Sequence, residues 1–261
     1  MKIATWNVNS IRTRLPIVKN WLETNNIDLL CLQETKVIDQ DFPQQDFKDL
    51  GYYVYISGQK AYNGVAIFSK TELTNVNYGF SSIVGEELTG IFDEQKRVIT
   101  GKINDIQIVN LYVPNGNSIP SDKFEYKLNW LKVLKEYLLK LKNQHQNLLI
   151  CGDFNIALED IDIYTKKPKK HICCSPQERE ILTDILTEIS LKDVFRKFTS
   201  EGGHYSWWDY RRGGFANNRG WRIDHHYLTE ELSNQAKSCI IDLEPRKLEK
   251  PSDHAPVIVE F

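Results

Sequence analysis

A chain of 261 residues with 33 basic and 35 acidic side chains has a net charge of -2, which excludes a global attraction to nucleic acid or to an anionic membrane. Any polyanion must therefore be gripped by a local patch. No apolar stretch approaches a bilayer span, the first residues lack the zones of a signal peptide, and the five cysteines show no C-x-x-C pair, so the expectation is a cytoplasmic protein, not associated with a membrane and without a disulfide framework or a zinc site. No linker or charge block divides the chain, and residues 1–261 are expected to form a single domain.

Residues 2–8 read as a strand ending in Trp6-Asn7-Val8-Asn9, which sets an amide at its end. Leu15, Val18, Trp21 and Leu22 then recur at helical spacing, with Pro16 tolerable in a first turn. The apolar strand 27–32 runs into Gln33-Glu34-Thr35-Lys36 and places Glu34 at a second strand end. Strands are predicted at 52–56, 64–69, 97–103 and 106–113, the last meeting Pro114-Asn115-Gly116-Asn117, so that Tyr112 and Asn115 sit at its edge. After Ser121 a helix buries Phe124, Leu128, Leu131, Leu134, Leu138 and Leu141 along one stripe, with Asp122 and Glu125 available for a capping box.

The run Leu148-Leu149-Ile150-Cys151-Gly152-Asp153-Phe154-Asn155 is a strand buried on both faces that stops at a carboxylate and an amide. Asp153 and Asn155 emerge at its carboxyl end, where open α/β sheets hold their chemistry, while Phe154 turns back to the core. Taken alone, the same residues also suit an ordinary turn. Lys166, Lys167, Lys169 and Lys170 around Pro168 read as a solvated loop, with a phosphate contact as the alternative. Ser175-Pro176-Gln177-Glu178 combines an N-cap, a proline at the first position and a capping glutamate, and Ile181, Leu182, Ile185, Leu186 and Ile189 form the buried face of the helix it opens. Strands resume at 205–208, 221–228 and 255–261. Helices are too few for strict βαβ alternation, so the expected α/β fold is two mixed sheets packed face to face with helices outside.

Asn7, Glu34, Tyr112, Asp153, Asn155, Asp224 and the pair Asp253-His254 all fall at strand ends or on short strands. Together they supply oxygen ligands for a hard cation, a base for water and donors for developing negative charge, which is what hydrolysis of a phosphate ester requires. No Gly-rich phosphate loop is present, which argues against a kinase or ATPase.

In this order, Thr5-Trp6-Asn7-Val8-Asn9, Leu32-Gln33-Glu34-Thr35-Lys36, Tyr62-Asn63-Gly64-Val65-Ala66, Leu111-Tyr112-Val113-Pro114-Asn115-Gly116, Gly152-Asp153-Phe154-Asn155, Gly220-Trp221-Arg222-Ile223-Asp224 and Ser252-Asp253-His254-Ala255-Pro256 resemble the exonuclease III family of the endonuclease/exonuclease/phosphatase superfamily. The resemblance spans nearly the whole chain and implies a four-layer sandwich of the DNase I type. It implies that Glu34, helped by Asn7, binds a divalent metal, Mg²⁺ or in its place Mn²⁺, and that Asp253 completes a second metal position. It further implies that Asp153 orients or deprotonates the attacking water, Asn155 holds that water, Tyr112 contacts the phosphate, and His254, oriented by Asp224, stabilises the transition state. Whether Asp153 or His254 is the formal base, and whether one or two ions act, stays open.

Relatives on this fold also cleave lipid and small-molecule phosphate esters, so the substrate must be read elsewhere. Tyr205-Ser206-Trp207-Trp208-Asp209-Tyr210-Arg211-Arg212 and Asn217-Asn218-Arg219-Gly220-Trp221-Arg222 set aromatic faces beside guanidinium groups, as a nucleic-acid strand requires. The resemblance implies that Trp207, Trp221 and Ile223 line a slot for a base-free sugar; Asn115 is expected at the DNA-facing site, and Arg211, Arg212 and Arg222 are expected to contact phosphates outside the slot or support its wall. The expected activity is incision 5′ to abasic sites and trimming of 3′ ends in duplex DNA, by a monomer; a phosphatase of lipid or small-molecule esters is the alternative. His225 and His226, beside Asp224, depart from the family's usual aromatic or aliphatic residues and are expected to be strand residues facing solvent, with contact of His225 to the active-site rim as the alternative.

Overall fold

In the computed structural model, which describes residues 1–165 and 171–261, two six-stranded sheets pack against each other. The first runs, edge to edge, Ser238–Ile241, Val257–Glu260, Lys2–Asn7, Leu29–Gln33, Val65–Ser69 and Tyr53–Ser57; the second runs Thr74–Tyr78, Val98–Ile103, Ile106–Tyr112, Asn147–Asp153, Asp224–Thr229 and Leu191–Asp193. Each sheet holds one parallel pair, Lys2–Asn7 with Leu29–Gln33 and Ile106–Tyr112 with Asn147–Asp153. Asn7 is thus level with Gln33, and Tyr112 with Asp153. Antiparallel pairing then sets Asp224 directly opposite Asp153. The register alone brings the polar strand ends to one rim of the sandwich.

Three apolar layers hold this frame. Ile3, Cys31, Ile67 and Val257 of the first sheet meet Ile108, Leu149, Cys151 and Leu228 of the second. The outer face of the first sheet is covered by the helix Ile11–Asn25 through Val18, Trp21 and Leu22, and that of the second by the helices Asp122–Gln144 and Pro176–Ile189. Helix, sheet, sheet and helix make the four-layer α/β sandwich expected from the sequence. Strand Asn147–Asp153 is indeed buried on both faces, with Leu148 and Ile150 under the helices and Leu149 and Cys151 between the sheets. Gly152 is obligatory there: its φ is 142°, and a Cβ would lie 1.9 Å from the Leu111 carbonyl oxygen on the neighbouring strand.

Several sequence expectations are corrected. The first helix begins at Ile11, so Pro16 lies in its second turn, not its first. The long helix is capped by Ser121, whose Oγ accepts from Phe124 N, and not by an Asp122/Glu125 box; the box expected at Ser175 and Glu178 is present. The apolar segment 221–228 divides, Trp221 pairing with Trp207 in a short ribbon while Asp224–Thr229 joins the second sheet. Strands Thr74–Tyr78, Leu191–Asp193 and Ser238–Ile241 are edge strands whose short or polar sequences carry no clear alternation. His225 and His226 are fully buried, because both faces of that strand are covered. The lysine-rich loop expectation at 166–170 lies outside the described residues. All five cysteines are buried, and among the described residues no helix is long and apolar enough to cross a membrane.

Candidate active site

The rim where the sheets end is built on strained backbone. Asn9, Glu34, Lys36 and Asn155 all take positive φ, between 44° and 55°. For Glu and Lys this left-handed conformation costs on the order of 1 kcal/mol or more, and such strain gathers where side chains must be aimed. Hydrogen bonds hold the turns: Ser10 N donates to Glu34 O, and Asn155 N to Asp153 Oδ1 at 2.9 Å.

Asn7 is the hub. Its Nδ2 donates to Glu34 Oε1 and to Asp153 Oδ2, each at 2.9 Å, and its Oδ1 accepts from Asn9 N. The amide therefore turns donors toward the two carboxylates and fixes them side by side. Glu34 is also paired with Lys36 Nζ at 2.7 Å. Burial pushes the Glu34 carboxyl up, but Lys36 and Asn7 outweigh it and hold it below the ordinary range.

His254 sits between two acids, its Nδ1 2.8 Å from Asp224 Oδ2 and its Nε2 3.8 Å from Asp153 Oδ2. Its backbone is set by Ser252 Oγ, which accepts from His254 N and donates to Asn7 O; Asp224 N is held likewise by Ser206 Oγ. Burial disfavours a charged imidazole, yet Asp224 and Asp153 overcome that and raise His254 to about 10. Burial, with Asp224 and Glu34 close by, pushes Asp153 up to about 7 against the pull of His254 and Asn7. At neutral pH the site thus holds a charged imidazole beside a carboxylate balanced near its titration point.

Tyr112 is half-buried, hydrogen-bonded to Glu34, and stacked under the Arg97 guanidinium at 4.6 Å. Burial first, then Glu34, push its phenol well above the ordinary value, so it remains a donor. Asn155 Nδ2 donates to Val113 O, and its Oδ1 accepts from Asn115 Nδ2 at 2.8 Å, which ties the two loops together. Asp253 stands apart from the carboxylate pair, its oxygens accepting from Asn9 Nδ2 and Trp207 Nε1. Glu34, Asp153 and His254 place one ligand atom each within 4.8 Å of one another, and this is the acidic cluster able to hold a metal among the described residues.

Next to this cluster lies an aromatic slot. The Trp207 backbone bridges to His254 on one side and pairs with Trp221 on the other. The two indoles meet edge to face at 6.2 Å over Ile163, Cys174, Ala157 and Ile223. Arg211 and Arg212 are exposed beyond it, Arg211 paired with Asp209. Of the two places expected for Arg222, outside the slot on a phosphate or within its wall, the buried one fits: it is 1% exposed and bound to Asp162, Asp193 and His225 Nδ1. It braces the wall of the slot. Lys36, Asn9, Ser206, Ser252 and Arg97 carry no sequence signal of their own, although all but Arg97 lie inside the stretches quoted above.

Such a site can move a proton to and from water beside a phosphate held by fixed charge, which places the molecule among the phosphoesterases of the four-layer α/β class. Comparison with known proteins narrows the class: the chain belongs to the Endonuclease/Exonuclease/phosphatase family, whose profile matches residues 4–254. It is 35% identical to exodeoxyribonuclease III of Haemophilus influenzae over 274 aligned positions, covering both chains completely. Two solved structures share its shape at 40% identity, each covering 100% of this chain and 99% of the other: a 3′ phosphatase from Neisseria bound to product DNA hairpin, at a TM-score of 0.93, and an AP endonuclease from Archaeoglobus fulgidus, at 0.92.

Proposed function

We propose that the protein is a DNA-repair nuclease of the exodeoxyribonuclease III kind, incising 5′ to abasic sites in duplex DNA and trimming 3′ ends, as a monomer in the cytoplasm. The observation that carries this reading is the bridge from Trp207 to both His254 and Trp221, which sets an apolar slot directly beside the phosphate chemistry. A nucleotide without a base has little stacking to lose and enters such a slot at low cost. Five buried cysteines with no C-x-x-C pair suit a reducing compartment.

Glu34, fixed by Asn7, would hold a divalent cation, Mg²⁺ by the hardness of the oxygen ligands with Mn²⁺ as a substitute, and the ion when bound supplies positive charge against the phosphate oxygens. His254 keeps a proton on each ring nitrogen and so serves as a donor to the phosphate instead of a ligand. Asp153, near its titration point, takes the proton of the attacking water. Tyr112 donates to a phosphate oxygen, and Asn155 with Asn115 holds the loop that carries it. Asp224 keeps His254 charged and oriented, and Asp253 anchors Asn9 and Trp207.

The test is a nicking assay on a duplex carrying a tetrahydrofuran abasic analogue, with Mg²⁺ or with EDTA. Incision 5′ to the analogue that EDTA stops supports the proposal. No incision, with turnover of a phosphoinositide or small phosphomonoester instead, would replace it by the phosphatase reading.

A further inference from the structure

The stripe of the helix Asp122–Gln144 contains one charged residue that the apolar pattern does not explain. Lys127 is completely buried, and so is its partner Glu178 on the helix Pro176–Ile189; Lys127 Nζ lies 2.5 Å from Glu178 Oε1. An ammonium taken out of water must have all its donors satisfied, and here the other two are carried to main-chain oxygens: Asn155 O at 2.8 Å and Asn115 O at 3.3 Å. Those are the two residues whose side chains also meet, Asn115 Nδ2 donating to Asn155 Oδ1 at 2.8 Å. Glu178 in turn accepts from Cys173 N, Ser175 N and Ser175 Oγ, so it also fixes the segment that brings Cys174 to the slot.

We propose that Lys127, held by Glu178, is a positioning residue for the reaction: its ammonium clamps the carbonyls of Asn115 and Asn155 and so sets the spacing between the Tyr112-bearing loop and Asp153. An apolar residue at this place on the stripe would fill the space equally well. The buried pair carries no net charge, yet replacing it by hydrocarbon commonly costs little stability or even adds some, so packing alone gives no reason for it. Its reach to two loop carbonyls at the reacting centre does. Asn155 stands at φ 49° and Asn117 at φ 60°, conformations that a loop without an internal anchor leaves readily. The inference rests on the proposed nuclease function for its activity readout alone.

Three variants test it: Lys127→Met/Glu178→Gln, which removes the clamp without leaving a buried charge; Lys127→Met; and Lys127→Arg, which keeps a cation with several donors. Single-turnover rates and DNA affinity are measured on the abasic-analogue duplex and on a 3′-recessed duplex, with melting temperature alongside. The double variant is expected to lose at least ~10-fold in rate on both substrates alike, with affinity changed less than about 2-fold, because misplacing reacting groups slows chemistry before it weakens binding. Lys127→Arg should recover part of the rate. A double variant with the wild-type rate overturns the proposal, as does a loss matched by an equal loss of folded protein, or an arginine variant no faster than Lys127→Met. If the wild-type protein cuts neither substrate, the nuclease reading fails by itself, and the clamp is then judged from the side-chain amide NMR signals of Asn115 and Asn155. Those signals should shift in the double variant and return toward wild type in Lys127→Arg; unmoved signals overturn the clamp.

Discussion

His254 Nδ1 and Asp224 Oδ2 are 2.8 Å apart with both groups buried, so the imidazole has one nitrogen committed to a carboxylate and the other turned to Asp153. On the proposed reading that pairing divides the labour: an imidazole raised to about 10 is a poor base at neutral pH and a cationic donor. Asp153→Asn and His254→Ala should each cut the single-turnover rate by at least ~10²-fold, the scale of lost acid–base or transition-state groups. Only the first should also remove the acid limb of the pH–rate profile, where the wild-type rate rises with pH as Asp153 loses its proton. A limb that survives in Asp153→Asn but vanishes in His254→Ala would reverse the assignment.

The second prediction concerns the metal. Glu34 is pinned by Asn7 at one oxygen and by Lys36 at the other. Glu34→Gln keeps one oxygen and loses the charge, so its rate should be low at low Mg²⁺ and recover in part at high Mg²⁺. Lys36→Met should do the opposite, lowering the Mg²⁺ concentration for half-maximal rate because the ion no longer competes with an ammonium for Glu34. Full activity of wild-type protein in EDTA would remove the metal from the mechanism.

A third prediction follows from His225, whose ring is enclosed between Arg222 and the catalytic loop. Arg222 Nη1 can only donate, so Nδ1 of His225 accepts and its Nε2–H donates to Ile156 O at 2.8 Å. Burial first, then the Arg222 charge, lower His225 to about 4 from 6.5. Between those values the unfolded chain binds a proton that the folded one refuses, so this group makes stability rise with pH across the window and fall on acidification. Its share is roughly 1.4 kcal/mol per pH unit. Asp153, raised to about 7, acts in the opposite sense over much of the same range, so the measurement must be a difference. His225→Gln offers an acceptor and a donor without a proton to gain, and its unfolding free energy relative to wild type should improve steadily from pH 6.5 toward 4. A difference independent of pH would show that His225 is charged in the fold.

Much of the frame and the site was legible in the sequence because the relevant signals are local. An apolar run ending at Asp153, or a cap at Ser175 with Glu178, states its structure within eight residues. Legibility failed where a partner distant in sequence decides the outcome. His225 and His226 look like exposed strand residues until Arg222 and the Val257 carbonyl cover them. In its sequence neighbourhood Arg222 reads as a phosphate contact or a wall support, and only the distant Asp162 and Asp193 favour the second. Lys127 had a visible signal, a charge on an apolar stripe, but its meaning depends on Glu178 and two loop carbonyls.

The last prediction separates the slot from the strand contacts beyond it. Trp221 is half-buried, packing on Trp207 and Ile223 above a floor of small side chains, so Trp221→Ala should widen the slot without emptying a core. Abasic-site incision should weaken by about 1 to 3 kcal/mol, as for other lost aromatic contacts to nucleic acid, while ordinary 3′ nucleotides enter more readily. The ratio of exonuclease to abasic-site activity should therefore rise. The exposed arginines should behave differently, and differently from each other. Arg211 is already bound to Asp209 through Nε and Nη2, at 2.6 to 3.1 Å, whereas Arg212, whose charge also acts on Asp209, makes no carboxylate ion pair among the described residues. Arg212→Ala should lower both activities together and flatten the salt dependence of DNA binding by about one unit of slope; Arg211→Ala should do so less, because its guanidinium is already committed to Asp209 and has fewer donors left for a phosphate. Both activities would be measured on one duplex at several salt concentrations, with melting temperature as a control. Should Trp221→Ala reduce the two activities equally and melt much earlier than wild type, the tryptophan is a packing residue, and preference for a base-free sugar must arise from another wall of the site.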